Sequence, residues 1–298
     1  MDDTMVGQVR RFNRTVTQRV GALHDHYLAR DRPLGEARLL WEIGAGGSDI
    51  RTLRSRLDLD SGYLSRLLRS LEAAGLVTMA PSEGDRRVRT AHLTARGTAE
   101  RDLLDQRADA LARSLFEPLT GDRRARLITA MVEVERLLTA SLVEFTVVDP
   151  GHRHATACLE AYFAELRQRF DDGFDPALSL APDPSPFRPP LGAFVVAMLR
   201  GEPIGCGGLR CTDDATVDLK RMWVAGTARG LGVGRRLLGE LEARAADAGA
   251  RTVRLETNRA LTEAIAMYRS AGYREVPAFN DERYAHHWFA KDLGPPPG

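Results

Sequence analysis

Cysteine is scarce in this sequence. The 298 residues contain three cysteines, Cys158, Cys206 and Cys211, and none stands in a Cys-x-x-Cys spacing. An odd number without paired spacing argues against a disulfide framework and against a zinc knuckle. We therefore expect a chain that works in the reducing cytoplasm.

Long apolar runs are also missing. The longest, such as residues 193–199, are far shorter than the roughly 20 residues that a bilayer-spanning helix needs. The start, Met1-Asp2-Asp3, lacks the basic and then apolar pattern of a signal peptide. We expect a soluble protein that is not exported.

An excess of one charge is the third absence. The 42 basic and 41 acidic residues nearly cancel, so there is no global electrostatic attraction to nucleic acid. All but two of the basic residues are arginine, so arginine content alone does not indicate a function. Between residues 51 and 96, however, nine arginines stand against five acids. Any such attraction is therefore expected to be local.

Length and patterning predict two domains, at about 100 to 200 residues each. The first half is a series of helical patterns with few β-branched residues. The second half alternates strand-like and helical runs, which is typical of an α/β domain. Its strand-like runs are residues 144–148, 193–199, 217–224 and 252–257. We place the first domain at 1–142 and the second at 143–293, followed by a tail at 294–298.

Helical patterns in the first half predict a helix-turn-helix. Residues 34–43 have the apolar spacing of a helix, and Asp49 caps a short second helix. Ser61 is a good N-cap for a third helix with a leucine stripe. Its remaining face carries hydroxyl and arginine groups suited to a major groove, namely Tyr63, Ser65, Arg66 and Arg69.

A hairpin with a basic tip follows. Two strand-like runs, 76–79 and 88–93, flank a turn that contains Asp85, Arg86 and Arg87. A tip of this size can reach a neighbouring minor groove.

Residues 30–97 resemble a MarR-type winged helix. The motif is D-x-R, five residues, then L-T-x-x-G, which runs here from Asp85 to Gly97. The resemblance implies a mainly α winged-helix domain that binds double-stranded operator DNA. It implies a homodimer built from helices near 6–28, 94–115 and 122–144. The implied DNA-binding residues are Ser61, Tyr63, Ser65, Arg66, Arg69, Arg86 and Arg87, with Arg87 oriented by Asp85. A winged helix used only for protein contact is the alternative.

A glycine-rich turn between a strand and a helix marks the second half. Gly230, Gly232 and Gly234 follow the strand-like run 217–224 and precede an apolar helical pattern. Backbone N–H groups in such a turn converge on an anion, and the helix N-terminus adds its positive end. The turn lacks the Walker lysine and serine and the order of a dinucleotide fingerprint. We interpret it as a diphosphate cradle.

Residues 144–293 resemble the GNAT N-acetyltransferase family. Its R/Q-x-x-G-x-G/A motif is matched by Arg229, Gly232 and Gly234. Its second motif is matched loosely by Asn258, Ala264, Tyr268, Gly272 and Tyr273. The resemblance implies an α/β fold with a mixed, mostly antiparallel sheet, acetyl-CoA as cofactor, and acetyl transfer to the amine of a small molecule.

The resemblance also implies roles for single residues. Tyr268 would protonate the leaving sulfur, and Asp218 stands where relatives hold a glutamate base. Glu256 is the second candidate base, and either acid could instead form an ion pair with Lys220 or Arg254. The implied cofactor-binding residues are Met222, Trp223, Val224, Arg229, Gly230, Leu231, Gly232, Val233, Gly234, Arg235, Asn258 and Ala264.

The acceptor site is expected near Tyr162, Phe174 and Tyr284. The neighbouring His286 and His287 do not predict a metal site, since adjacent strand residues point to opposite faces.

Three functional hypotheses remain. The chain is a regulator that is also a working acetyltransferase, a regulator whose second half only senses acetyl-CoA or a metabolite, or an enzyme whose winged helix recruits a protein substrate. The four family residues Gly232, Gly234, Asn258 and Tyr268 favour the enzyme, because a pure sensor needs no proton donor.

Overall fold

The chain divides into two units, Met1–Met131 and Val132–Gly298. The computed structural model describes residues 2–23, 27–81, 89–171, 173–179, 183, 185–212 and 215–294. The division lies inside a long helix, whereas the sequence places the boundary after residue 142. Within the described residues, no helix has both the length and the apolar character that crossing a membrane requires.

The first unit is built mainly from helices. They are α1 (Asp3–Arg19), α2 (Leu34–Ile43), α3 (Ile50–Leu57), α4 (Ser61–Ala73) and α5 (Ala95–Phe116), and α6 (Gly121–Ser141) begins in this unit. A small antiparallel sheet has the order β1-β3-β2, with β1 at Ser48–Asp49, β2 at Val77–Pro81 and β3 at Arg89–Leu93.

Side-chain caps set the helix starts in this unit. Asp49 accepts from the Thr52 backbone N–H at 2.9 Å and begins α3 as predicted. The prediction of Ser61 as an N-cap is wrong, because Asp60 accepts from the Tyr63 N–H at 2.8 Å and Ser61 is already helical. A carboxylate at this position satisfies an N–H that has no intrahelical partner.

The first helix is shorter than predicted. The sequence favours a helix over residues 6–28, but α1 ends at Arg19. Gly21 follows with φ +68°, a left-handed conformation that interrupts helical geometry and that glycine adopts readily.

Leucines of α2, α3 and α4 form the core of the first unit. The stripe predicted on α4 is buried, with Leu64 and Leu71 at 1% exposure or less. Burial of each such side chain contributes about 1.5–3 kcal/mol. At the start of α5, Thr94 accepts from the Gly97 N–H at 3.0 Å and donates to the Gly75 carbonyl at 2.7 Å. This contact holds α5 against the end of α4.

In the described part of the second unit, seven strands form one sheet of order β4-β5-β6-β7-β8-β10-β9. They are β4 (Val143–Val147), β5 (Gly192–Leu199), β6 (Glu202–Cys211), β7 (Thr216–Val224), β8 (Thr252–Thr257), β9 (Arg274–Glu275) and β10 (His287–Asp292). The β7–β8 pair is parallel and the other pairs are antiparallel. The predicted mixed, mostly antiparallel sheet is confirmed.

Three helices belong to this sheet, α7 (Arg153–Arg169), α8 (Val233–Asp247) and α9 (Thr262–Ser270). Leucines of α8 pack on the sheet together with Tyr268, Tyr273 and Phe289. Cα pairing of the parallel strands covers only Thr216–Asp218 against Thr252–Arg254 among the described residues. Strands β7 and β8 therefore separate beyond Asp218. From there on, the edge of β7 that faces β8 has no strand partner and borders a wedge-shaped gap.

Candidate active site and nucleic-acid interface

A glycine-lined cavity lies where β7 leads into α8. We call it the cradle; its volume is about 520 Å³. Gly230 and Gly232 have φ +82° and +74°, and no heavy atom lies within 4 Å of the position a Cβ would take on either one. This open space borders the first turn of α8, whose N–H groups have no intrahelical partners. The prediction of an anion cradle fits this geometry.

The cradle also has groups that suit the amide-bearing arm of acetyl-CoA, in addition to its phosphates. Met222, Trp223 and Val224 line it from the unpaired edge of β7, and Ala264 lines it from α9. A strand edge without a partner can hydrogen-bond an amide-bearing arm, while the helix N-terminus attracts phosphates. The residues present therefore fit the cofactor that the sequence motif implies.

Two predicted cofactor-binding residues direct their side chains away from the cradle. The side chain of Leu231 packs against a small apolar cluster with Val143, Ala197 and Ile204. Asn258 lines a different cavity, and its side chain binds the chain itself: Nδ2 donates to the Tyr284 carbonyl at 2.8 Å and Oδ1 accepts from the Ala260 N–H at 2.9 Å. Asn258 thus positions the loop that carries Tyr284.

Glu165 is a member of the cradle that the sequence did not predict. It accepts from Trp223 Nε1 at 2.8 Å and from Arg229 at 2.7 Å, and it pairs with Arg169 at 3.2 Å. Burial raises the pKa of Glu165, but the hydrogen bonds from these three partners outweigh burial and hold that pKa below its usual value. The carboxylate therefore orients both the indole and the motif arginine at the cradle.

The last turns of α6 fix the backbone of the cradle. Arg136 donates to the Gly230 carbonyl at 2.7 Å. In the opposite direction, Arg236 of α8 donates to the carbonyl of Ala140 and, at 2.9 Å, to that of Val143. These contacts lie within the second unit and orient the peptide next to the glycine turn.

A cavity of about 370 Å³, the aromatic cavity, adjoins the cradle. All three predicted acceptor residues, Tyr162, Phe174 and Tyr284, line it, as does Glu256. The residues that line both cavities are Tyr162, Leu166, Met222, Leu261, Ala264 and Tyr268. A group bound in one cavity would therefore meet a group bound in the other at this common wall.

Tyr268 lies in the common wall with only 5% of its surface exposed. Burial raises the pKa of its phenol, and the nearby negative charge of Glu256 raises it further. Its ring packs against Tyr273 and Phe289, with centroids at 5.8 and 6.2 Å. The hydroxyl is consequently a weaker acid than that of an exposed tyrosine, which already keeps its proton through the neutral range.

The two candidate acids have different surroundings. Asp218 is paired with Arg210 at 2.8 Å and Arg254 at 3.0 Å, and it lines neither cavity. Glu256 lines the aromatic cavity, where it pairs with Lys220 and accepts from Asn280 at 3.3 Å. Both acids therefore form the ion pairs that the alternative predicts, and of the two only Glu256 lines a cavity.

The histidine pair provides no cluster of ligands. His287 lies in β10, and its Nδ1 contacts Glu275 at 2.6 Å. The part of the chain that the structure describes contains no group of three or more His, Cys, Asp or Glu residues arranged to hold a metal ion.

The outer face of α4 carries the predicted nucleic-acid contacts. Its leucine stripe is buried, so Ser61, Tyr63, Ser65, Arg66 and Arg69 are all exposed. The Arg66 guanidinium lies 5.6 Å from the centroid of the Tyr63 ring. Arg86 and Arg87, with Asp85 at the wing tip, lie outside the described residues.

Helix α1 exposes an apolar stripe. Met5, Val9, Phe12 and Val16 follow one another at intervals of three or four residues, and each is at least 40% exposed. An apolar helix face of this kind is usually covered by another surface. The homodimer expected from this helix stays a prediction.

Family models match both halves of the chain. The MarR family model matches residues 31–88, and the acetyltransferase (GNAT) family model matches residues 156–273. A protein of Azospirillum brasilense named IAA acetyltransferase is 40% identical to this chain over 87 residues. That match covers 29% of this chain and 57% of the length of the Azospirillum protein.

Solved structures are similar to one half of the chain. A putative acyl-CoA N-acyltransferase from Klebsiella pneumoniae is 26% identical, with a TM-score of 0.43, and the match covers 51% of this chain and 98% of that one. A GNAT family acetyltransferase from Elizabethkingia anophelis, with acetyl-CoA bound, is 16% identical with a TM-score of 0.37 and coverages of 51% and 98%.

Proposed function

We propose that this chain, which joins a MarR-family region to a GNAT acetyltransferase region, transfers an acetyl group from acetyl-CoA to the amine of a small molecule and binds operator DNA as a homodimer. One observation carries the enzymatic part: Tyr268 lies in the wall common to the cradle and the aromatic cavity. A residue there can reach the atoms that react when a cofactor fills one cavity and an amine fills the other.

The cradle binds and orients the cofactor in this proposal. The first turn of α8 and the side chain of Arg229 attract phosphate charge. Backbone N–H groups on the open edge of β7, around Met222 to Val224, would hold the arm and polarise the reacting carbonyl. When bound, acetyl-CoA supplies an acetyl group that is activated as a thioester.

Glu256 and Tyr268 move the protons. The Glu256 carboxylate accepts the proton that the amine loses, directly or through water, and Lys220 holds that carboxylate in place. The Tyr268 hydroxyl carries its proton through the neutral range, as an ordinary tyrosine does, and it delivers that proton to the leaving sulfur. Asp218 takes no part, since two arginines hold its carboxylate away from both cavities.

Gly232→Ala tests the enzyme and its cradle together. A methyl group at this position projects into the open space over the α8 N-terminus, and φ +74° disfavours alanine by roughly 1–2 kcal/mol. We expect the native chain to release CoA in an amine-dependent reaction, and the variant to raise KM for acetyl-CoA about ten-fold.

Gly239→Ala is the matched control. Gly239 lies in the same helix, with open space around it and no positive φ. The KM of the Gly239→Ala variant for acetyl-CoA should therefore equal that of the native chain. Binding of acetyl-CoA by calorimetry without CoA release for any amine would favour the sensor over the enzyme. An unchanged KM in Gly232→Ala would contradict the cradle.

DNA binding is the second part of the proposal, supported by the exposed hydroxyl and arginine face of α4. We expect Arg66→Ala to weaken binding about ten-fold, and to reduce the slope of log affinity against log salt by about 1 if this arginine neutralises a phosphate. Duplexes enriched by the native chain from a random-sequence pool serve as the probe.

Arg113→Ala provides the comparison for DNA binding. Arg113 lies on α5, is 73% exposed and pairs with Asp109, so its removal changes the net charge equally. If DNA binding weakens by the same amount in Arg66→Ala and Arg113→Ala, the loss comes from the change in net charge and not from a contact made by Arg66. Failure to enrich any duplex would favour the winged helix as a protein-contact module.

A further inference from the structure

Aromatic side chains are concentrated around one cavity of this chain. Only 6% of its residues are aromatic. Of the residues that the structure describes, six aromatic ones line the aromatic cavity: Tyr162, Phe163, Phe170, Phe174, Tyr268 and Tyr284. Aromatic side chains at this density give the cavity a lining that favours apolar or aromatic groups in a ligand.

Three of these rings form a continuous wall. Phe174 lies between its neighbours, with centroids at 5.6 Å from Phe163 and 4.8 Å from Tyr284. The Tyr284 hydroxyl is engaged with the backbone of Asp175, whose N–H donates to it at 3.0 Å. The wall therefore offers ring surface, and its one hydroxyl is occupied by the loop.

The charges that line the cavity are balanced. Lys220 and Arg221 are its bases and Glu256 and Glu282 its acids among the described residues. Glu256 is paired with Lys220, and Glu282 accepts from the Ser179 hydroxyl at 3.0 Å. A ligand with several ammonium groups would lose hydration at each without gaining a carboxylate for each, which is costly.

From these observations we infer that the acetyl acceptor is a monoamine that carries a flat aromatic ring. Its ring lies against Phe163, Phe174 and Tyr284, and its single amine points to Glu256 beside Tyr268. A volume of about 370 Å³ accommodates a molecule of this size. The inference rests on the proposed acetyltransferase function and names its acceptor class.

The test compares matched amines on the full chain. The panel is 2-phenylethylamine, 2-cyclohexylethylamine, n-butylamine, spermidine and kanamycin, and the readout is CoA release at saturating acetyl-CoA. We expect kcat/KM for 2-phenylethylamine to exceed that of each other amine at least ten-fold. Equal values for the cyclohexyl compound, or higher values for a polyamine, would overturn the inference and leave the acetyltransferase function standing.

Phe174→Leu links the preference to the wall. The variant keeps an apolar side chain but removes the central ring, so KM for 2-phenylethylamine should rise about ten-fold while KM for acetyl-CoA stays unchanged. Phe279→Leu is the control, because the Phe279 ring lines neither cavity. Its contact is with Arg254, whose guanidinium carbon lies 4.3 Å from the centroid of the ring. An unchanged KM in Phe174→Leu would contradict the proposed contact.

Binding provides a readout that does not depend on turnover. Calorimetry with 2-phenylethylamine on the chain saturated with CoA should give binding that Phe174→Leu weakens. If no amine is acetylated but this binding is seen, the cavity assignment holds and the enzymatic function fails. If the aromatic amine does not bind, the inference fails as well.

Discussion

Replacing Tyr268 with phenylalanine should lower kcat for CoA release by about 10²- to 10⁴-fold, the range typical for loss of a general acid. The hydroxyl lies in the wall between two cavities, and the ring is held by Tyr273 and Phe289. Phenylalanine preserves those ring contacts, so KM for acetyl-CoA should change little. Steady-state CoA release with a saturating amine measures the effect.

The pH dependence of the rate is a second test of the role of Tyr268. Burial raises the pKa of Tyr268, so its hydroxyl stays protonated as pH rises past about 10, where an exposed tyrosine loses its proton. The rate of the native chain should therefore not fall near pH 10 through deprotonation of Tyr268. The rate of Tyr268→Phe should stay below the native rate at every pH at which the chain is folded.

Tyr273→Phe separates chemistry from packing. This neighbour is buried against Tyr268 but lines neither cavity, so loss of its hydroxyl should leave kcat near the native value. Equal losses in both variants would indicate a packing effect. A Tyr268→Phe rate equal to the native rate at every pH would eliminate the proposed acid.

A second large effect is expected from Gly97→Ala in the first unit. A Cβ on Gly97 would stand 2.0 Å from the Leu76 carbonyl oxygen and 3.0 Å from its carbon. Because both atoms belong to the backbone, either α5 or the start of β2 must move. We expect a loss of about 3 kcal/mol or more in the free energy of unfolding, as for severe overpacking.

Denaturant unfolding of the full chain, followed by helical circular dichroism, measures this loss as a lower midpoint for the first unit. Gly46→Ala is the control, since no heavy atom lies within 4 Å of its Cβ position and its φ is not positive. That variant should stay within about 0.5 kcal/mol of the native chain. A native midpoint for Gly97→Ala would mean that α5 shifts freely.

This glycine gives a physical reason for part of the sequence motif. In L-T-x-x-G, Thr94 caps α5 and donates to the Gly75 carbonyl, while Gly97 leaves room for Leu76. Such local signals, a cap and a glycine at a fixed spacing, are what sequence analysis detects well. Most helix bounds of the first unit could be predicted within two residues for this reason.

Strand β6 shows where local signals are insufficient. Gly205, Gly207 and Gly208 weaken its strand pattern, and the sequence analysis did not predict it. Tertiary contacts leave little room for a side chain at two of them: a Cβ on Gly207 would meet the Leu241 side chain at 2.6 Å, and one on Gly208 would meet the Phe187 ring at 2.5 Å. Contacts between residues far apart in the chain leave no periodic trace near the strand itself.

The candidate site divides in the same way. Motif spacing predicted the glycine turn and the position of Tyr268, because each belongs to a motif whose residues are close together in the chain. Glu165 was missed, since its partners Trp223 and Arg229 lie about sixty residues away in the chain. The choice between Asp218 and Glu256 depended on neighbouring arginines and cavity walls, which only the folded chain brings together.

The contacts of α6 have a practical consequence for dividing this protein into fragments. A fragment that starts at Val143, where the sequence places the beginning of the second domain, discards Arg136 and Ala140. The Gly230 carbonyl then loses its donor and Arg236 loses an acceptor, both beside the glycine turn. A fragment that starts at Val132 keeps these bonds. For separate expression of the acetyltransferase half, the last three turns of the helix are therefore part of the domain and not a removable linker.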